Sequence, residues 1–222
     1  NPFLEPTFSY NFELTHTYKN WLTTSLKYSF TENEINETIE QGTNIFYSRP
    51  GNFGKRISYG ASVNINYKIV KWWTLQWYNE VQYNSFTGSI YNQTLNNKGT
   101  YWVSAPTNMF QLSKTWTAEL STTYQTSIYI GQFVTVPVFT MRTAVSKKIW
   151  KEKGTLRAAL NDALYTNQPG GNIKAIANST ARWKSYLDTR VFVVQLSYRF
   201  NKGKSLQARQ TGASDMEKSR VK

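Results

Sequence analysis

The sequence predicts an all-β, antiparallel sheet that crosses a membrane as part of a barrel. Three observations carry that expectation. Long stretches alternate apolar and polar residues with a period of two, no segment reaches the roughly 18 apolar residues of a membrane helix, and short connections alternate with long ones. Aromatics make up 16% of the 222 residues while hydrophobics reach only 40%. Such a balance suits strands that show lipid one face and water the other. An all-β fold of this length can form one undivided sheet.

Each element follows from the pattern. Phe8, Tyr10, Phe12, Leu14, His16 and Tyr18 alternate with Thr7, Ser9, Asn11, Glu13, Thr15 and Thr17, the period of a half-buried strand. A tight turn at Lys19 and Asn20 leads to Trp21, and Leu22, Leu26, Tyr28 and Phe30 then alternate with Thr23, Ser25, Lys27 and Ser29. Residues 31–56 lose the alternation and read as a long loop with strand extensions near 45–47. The third strand carries Ile57, Tyr59, Ala61, Val63, Ile65, Tyr67 and Ile69 against Ser58, Ser62, Asn64, Asn66 and Lys68. After a turn at 70–72 the fourth sets Trp73, Leu75, Trp77, Val81 and Tyr83 outward, and a second long polar loop covers 84–99.

The fifth strand, 100–112, is less regular, and Pro106 predicts a bulge or a break in its ladder. A turn at 113–115 precedes the sixth, with Trp116, Ala118, Leu120, Tyr124 and Ile128 against Thr117, Glu119, Ser121, Thr123 and Gln125. A loop at 129–133 leads into the seventh strand, which turns at 150–154 into the eighth, 155–164. The connection 165–187 has room for a hairpin of its own. The ninth strand, 191–200, places Phe192, Val194, Leu196, Tyr198 and Phe200 on one face and Val193, Gln195, Ser197 and Arg199 on the other.

Every short turn pairs a lysine with tryptophan: Lys19 with Trp21, Lys71 with Trp72 and Trp73, Lys114 with Trp116, and Lys148 with Trp150. Asn, Gly and Asp dominate hairpin turns in soluble sheets, whereas aromatics gather where a barrel meets the membrane interface. Trp21, Trp72, Trp73, Trp116 and Trp150 are therefore the expected interfacial residues. With all short turns at one end, the first and last strands run the same way and the strand number is odd. Single-chain bacterial barrels use even numbers, and an open edge is not tolerated in lipid. The expectation is the C-terminal part of a larger barrel. The opening NPFLEP has no charged or apolar leader region, which agrees.

Little here suits catalysis. The chain has no cysteine and one histidine, so no thiol chemistry is available and only His16 could serve a Ser-His dyad. His16 lies on the apolar parity beside a turn, as an interfacial side chain would. No enzyme activity, cofactor or metal is expected. The net charge of +13 is dispersed through strands and turns rather than gathered into a nucleic-acid footprint. Its one cluster is a basic polar tail, 201–222, where six cations (Lys202, Lys204, Arg209, Lys218, Arg220 and Lys222) face Asp215 and Glu217. That divides the chain into a barrel segment, 1–200, and the tail. The polar parity nominates Glu13, Lys27, Asn64, Asn66, Lys68, Glu80, Glu119, Gln125, Arg142, Arg157 and Arg199 as lumen-facing wall residues. Glu13 and Lys27 match in parity and are expected to pair. Asp162 falls on the parity of Leu156 and Leu160, toward lipid, unless the strand bulges or ends first.

Several segments resemble a known family. NPFLEP followed by Phe12-Glu13-Leu14 resembles the Asn-Pro-x-Leu-x-Pro-Glu and Tyr-Glu-Leu segment of TonB-dependent receptor barrels, with Thr7 in place of the usual glutamate. SKKIWKEKGTLRAALNDALYTNQ (146–168), LSYRFNKGK (196–204) and the ending TGASDMEKSRVK resemble outer-membrane β-barrel family proteins of the Bacteroidota. The Tyr-x-Phe ending of the last strand is similar to the insertion signal read by the barrel-assembly machinery. The resemblance implies a 22-stranded barrel of which this chain supplies the last nine strands, 14–22. It also implies a place in the outer membrane of a Gram-negative cell, partnered by lipid, by the missing N-terminal strands and plug of the same protein, and by TonB through that plug. Solute import by plug movement is the implied function, and Asn161-Asp162 is an implied structural motif. Three alternatives stand beside it: a barrel of the same family with an assembly or surface-binding role and no transport, a soluble β-sheet binding protein whose apolar face lines a pocket, and, weakest, an outer-membrane enzyme with His16 as its base.

Overall fold

A computed structural model describes residues 4–176 and 181–200. Its strands are β1 (Phe8–Tyr18), β2 (Leu22–Glu32), β3 (Ile35–Gly42), β4 (Ile45–Asn52), β5 (Lys55–Val70), β6 (Trp73–Ile90), β7 (Gln93–Gln111), β8 (Trp116–Gln125), β9 (Tyr129–Ile130), β10 (Phe133–Thr135), β11 (Val138–Ile149), β12 (Gly154–Asn161), β13 (Gly170–Ile173), β14 (Ala181–Lys184) and β15 (Val191–Tyr198). Among the described residues there is no helix. Nine strands form one antiparallel sheet in the order β1-β2-β5-β6-β7-β8-β11-β12-β15. The other six make two small sheets, β3-β4 and β14-β13-β10-β9, built from the long connections. The sheet is open: β1 and β15 each have a single neighbour.

The register keeps like with like. Leu14 lies opposite Leu26, Leu26 opposite Ala61, Ala61 opposite Val81 and Val81 opposite Trp102. On the far side of the sheet the same face runs from Phe110 through Ala118, Val145 and Ala158 to Val194. A slip of one residue anywhere would turn a strand's whole apolar set over. The adjacent rows are polar: Glu13, Lys27, Gly60, Gln82 and Tyr101 in one, and Gln111, Thr117, Ser146, Arg157 and Gln195 in another.

Several boundaries differ from the sequence reading. Residues 84–99 are not a loop, because β6 and β7 pair without interruption to a two-residue turn at Tyr91 and Asn92, both at positive φ. Asn suits that left-handed turn geometry, and the polar residues of the stretch are strand residues. Residues 31–56 fold largely as the β3-β4 hairpin. Ile69 sits in a bulge between Lys68 and Val70 instead of continuing the alternation. The β7-β8 ladder is interrupted at Ala105 and Pro106 with its register unchanged, since proline brings no N–H. Ile128 lies beyond β8, and β12 ends at Asn161 rather than 164. Arg199 and Phe200 lie past β15, where the Phe200 ring packs edge-on against Tyr198 at 4.7 Å. The basic tail, 201–222, lies outside the described residues.

Apolar burial is concentrated at the long-connection end. Phe53, Phe86, Ile90 and Leu95 form a buried cluster, with Tyr91 and Ala175 packed against it. Most large apolar side chains of the main sheet are exposed, among them Phe12, Leu14, Tyr59, Val81, Phe192, Val194 and Leu196.

Candidate functional site

The polar face carries the ionisable side chains of the wall. Tyr101 Oη donates to Glu80 Oε1 at 2.8 Å, and Tyr78 Oη donates to the other carboxylate oxygen. Arg157 on β12 reaches across β11 to Glu119 on β8, Nη2 to Oε2 at 2.9 Å, and its Nη1 lies 3.4 Å from Ser146 Oγ. The strand between them offers the buried Ala144 opposite Glu119, small enough for the pair to span it. Glu13 and Lys27 are direct cross-strand neighbours but form no ion pair among the described residues; Glu13 accepts from Thr15 Oγ1 at 3.2 Å instead. Both side chains are exposed, so water satisfies the charges and holding two long chains together gains little. Asn64 and Asn66 pair with Tyr78 and Gln76, Lys68 with Thr74, Gln125 with Val103 and Val138, and Arg142 with Ser121, all on this same face. Arg199 stands apart from them past β15, its backbone N–H donating to Lys153 O at 2.8 Å.

At the long-connection end the polar face is covered. Asn84 Nδ2 donates to Tyr129 O at 3.1 Å, and Asn97 Nδ2 donates to Gly131 O and Phe133 O at 2.9 and 3.0 Å. The Tyr129 ring occupies the space beside Gly99 that a Cβ would need. Gln132, at 0% exposure, ties three connections together. Its Oε1 accepts from Ile39 N at 2.7 Å, and its Nε2 donates to Ile39 O and Ala175 O at 3.1 and 3.2 Å. The segment 129–135 is thereby seated on the polar side of β6 and β7, with β13 and β14 extending it. Beside this cap lies a cleft of about 750 Å³, bounded by Val136, Pro137, Tyr165, Arg182, Trp183 and Lys184.

Asp162 holds the start of the last long connection. The backbone turns to φ 42° there, and the side chain swings away from the apolar face that parity alone assigns it. It is 6% exposed and accepts from Thr166 N at 3.0 Å, Asn167 N at 3.1 Å and Thr189 Oγ1 at 2.6 Å. Burial acts to raise its pKa, but the bonds from Thr189, Asn167 and Thr166 outweigh burial and hold it below the ordinary 3.8.

At the opposite end an aromatic belt follows the short turns. Trp21 packs against Tyr18 and Tyr67, Trp72 and Trp73 against Phe110, and Trp150 against Tyr198, while the Lys147 ammonium lies 4.9 Å from the Trp116 ring centre. A second aromatic level recurs eight residues along the same face: Tyr10 from Tyr18, Tyr59 from Tyr67, Trp102 from Phe110, Tyr124 from Trp116. At ~3.3 Å per residue the levels are about 26 Å apart along the strands, close to the ~25 Å apolar band of an outer-membrane barrel before strand tilt is allowed for. In water the face between them would be an apolar patch far beyond what soluble monomers expose.

The family model of the outer membrane protein beta-barrel family matches residues 1–198. The chain belongs to that family. It is an outer-membrane protein, all-β and antiparallel throughout its described strands. No curated protein and no solved structure matches the chain. For an outer-membrane barrel protein, the parts that sequence reasoning did not single out are the informative ones: Tyr78 and Tyr101 on Glu80, Asn97 and Gln132 in the cap, and Arg182 with Trp183 in the cleft. Gly170-Gly171 offered a signal for the last, because β13 lays Gly170 opposite Lys184 and Gly171 opposite Trp183.

Proposed function

We propose that this chain is the C-terminal wall and outer cap of a TonB-dependent-receptor-like importer. The observation that carries the reading is the seating of 129–135 on the polar side of β6 and β7, which narrows the mouth that the polar face would line. In this reading the polar face, with Glu13, Lys27, Asn64, Lys68, Glu80, Glu119 and Gln125, is the lumen wall, and Arg199 lies at its rim beyond β15. The Trp21, Trp72, Trp73, Trp116 and Trp150 level lies at the periplasmic interface. Strands upstream in the same protein pair with the free edges of β1 and β15 to close the wall, in line with a 22-stranded barrel. β15, with Phe192, Val194, Leu196 and Tyr198, followed by Phe200, is the strand that the assembly machinery reads. A plug coupled to TonB supplies the gating, and no residue of this chain is assigned to it.

Uptake tests this. Deleting the parent gene should abolish concentrative uptake of its solute, and a protonophore should do the same in the wild type. Flux that survives the protonophore would make the barrel a passive pore. Loss of no solute at all, with the barrel present at the surface, would favour an assembly or surface-binding barrel, a reading that the exposed Ile45, Phe46 and Tyr47 at the β3-β4 tip also suit.

A further inference from the structure

We infer that the cleft beside the cap binds a small organic anion, a carboxylate carried on a planar apolar body. Its walls combine two chemistries. Val136, Pro137, Tyr165 and Trp183 supply apolar and aromatic surface, and Arg182 and Lys184 supply charge. Among the described residues no Asp or Glu lines it. Asp162, behind the Thr166 wall, is buried and has both oxygens taken by Thr166, Asn167 and Thr189. Its oxygens are thus occupied by neutral donors, and among the described residues it forms no ion pair with Arg182 or Lys184.

The backbone makes the room. Gly170 and Gly171 lie opposite Lys184 and Trp183, so no side chain from β13 fills the space before them. A Cβ on Gly171 would stand 2.8 Å from Val134 O and 3.2 Å from Trp183 Nε1, so a larger residue cannot enter without displacing the indole. The Arg182 guanidinium has no hydrogen bond or ion pair among the described residues and presents a planar fork that fits a carboxylate with two parallel bonds. Arg190 stacks on Tyr165 with its Cζ 5.2 Å from the ring centre, and Lys184 Nζ lies 4.9 Å from the Tyr186 ring centre. Cations already resting on aromatic faces show the mixed surface that a planar anion would find. The cleft volume of about 750 Å³ is that of a small-molecule site.

As the substrate class of an importer this inference rests on the reading above, but binding is measured without translocation. The full-length protein in nanodiscs would be titrated calorimetrically with naphthalene-2-carboxylate and with its uncharged amide. The carboxylate should saturate and bind at least tenfold tighter than the amide. Arg182→Gln with Lys184→Gln should remove that preference while leaving amide binding unchanged, and Trp183→Ala should weaken both probes together. Heat-modifiable gel mobility confirms that each variant is folded. Equal affinity for carboxylate and amide, no saturation by the carboxylate, or an unchanged preference in the double variant would overturn the proposal. Intact binding with no uptake in cells would sink the import reading alone, and uptake with no binding here would sink this one alone.

Discussion

Phe12, Leu14, Val81 and Val194 point outward from the middle of the sheet with little protein against them, whereas Phe53, Phe86, Ile90 and Leu95 at the long-connection end are packed on one another. The first group gains its stability from what surrounds the protein and the second from within. A sheet face banded by two aromatic levels loses its advantage when hydrocarbon is removed, while a buried cluster with Tyr91 and Ala175 packed against it keeps its advantage in either solvent. The same alternating chemistry thus produces two regions that should respond to opposite perturbations.

The largest effect is expected from a charge on the outward face. Val194, 61% exposed, lies opposite Ala158 midway along β15. Val194→Arg should cost about 2–4 kcal/mol in a bilayer, read as a fall in unfolding midpoint in lipid vesicles. An unchanged midpoint would place that face in water. Leu95→Ala should cost about 2–3 kcal/mol by opening a cavity in the cap. Its signature is regional: proteolysis within 31–56 and 84–99 should rise while gel mobility of the unheated barrel stays as in the wild type. Simultaneous loss of both would show cap and wall to be one cooperative unit.

Smaller effects sharpen the boundary between the regions. Glu119→Gln leaves Arg157 without its partner on a partly exposed wall, and about 1–2 kcal/mol is expected, between surface and buried pairs; the double variant with Arg157→Met should recover part of it. Asp162 should give the mildest response at neutral pH and a clear one in acid. Its pKa lies below 3.8 in the folded chain, so its contribution is complete above the ordinary carboxylate value and is lost as pH falls through the lower folded one. Hydrogen exchange of Thr166 and Asn167 amides should accelerate in that window, and Asp162→Asn should remove the pH dependence.

The wall was legible because its two environments differ so sharply that each residue's parity declares its side, as in Phe8 through Tyr18. The short turns at 19–20, 71–72, 113–115 and 150–153 were legible because lysine and tryptophan mark each break in the alternation. The cap was hidden for a physical reason. Residues 84–99 keep a period of two, with Phe86 and Ile90 on β6 and Leu95 and Asn97 on β7, but above the membrane level neither side is lipid, so Asn, Thr and Ser fill the positions that carried apolar residues below. Asp162 was misplaced by parity because a single residue at positive φ ends the strand. The cleft could not be read at all, since it joins Pro137 from one long connection to Tyr165 and Trp183 from the two ends of another.

β6 and β7 belong to both regions, paired residue by residue from Trp73 and Phe110 to Ile90 and Gln93 with no bulge between. Such a ribbon is a splint. It resists bending within its own plane, where its hydrogen bonds would have to stretch, and yields more readily along the normal to it. The segment 129–135 rides on it, held by the bonds of Asn84 and Asn97 to the carbonyls of Tyr129, Gly131 and Phe133.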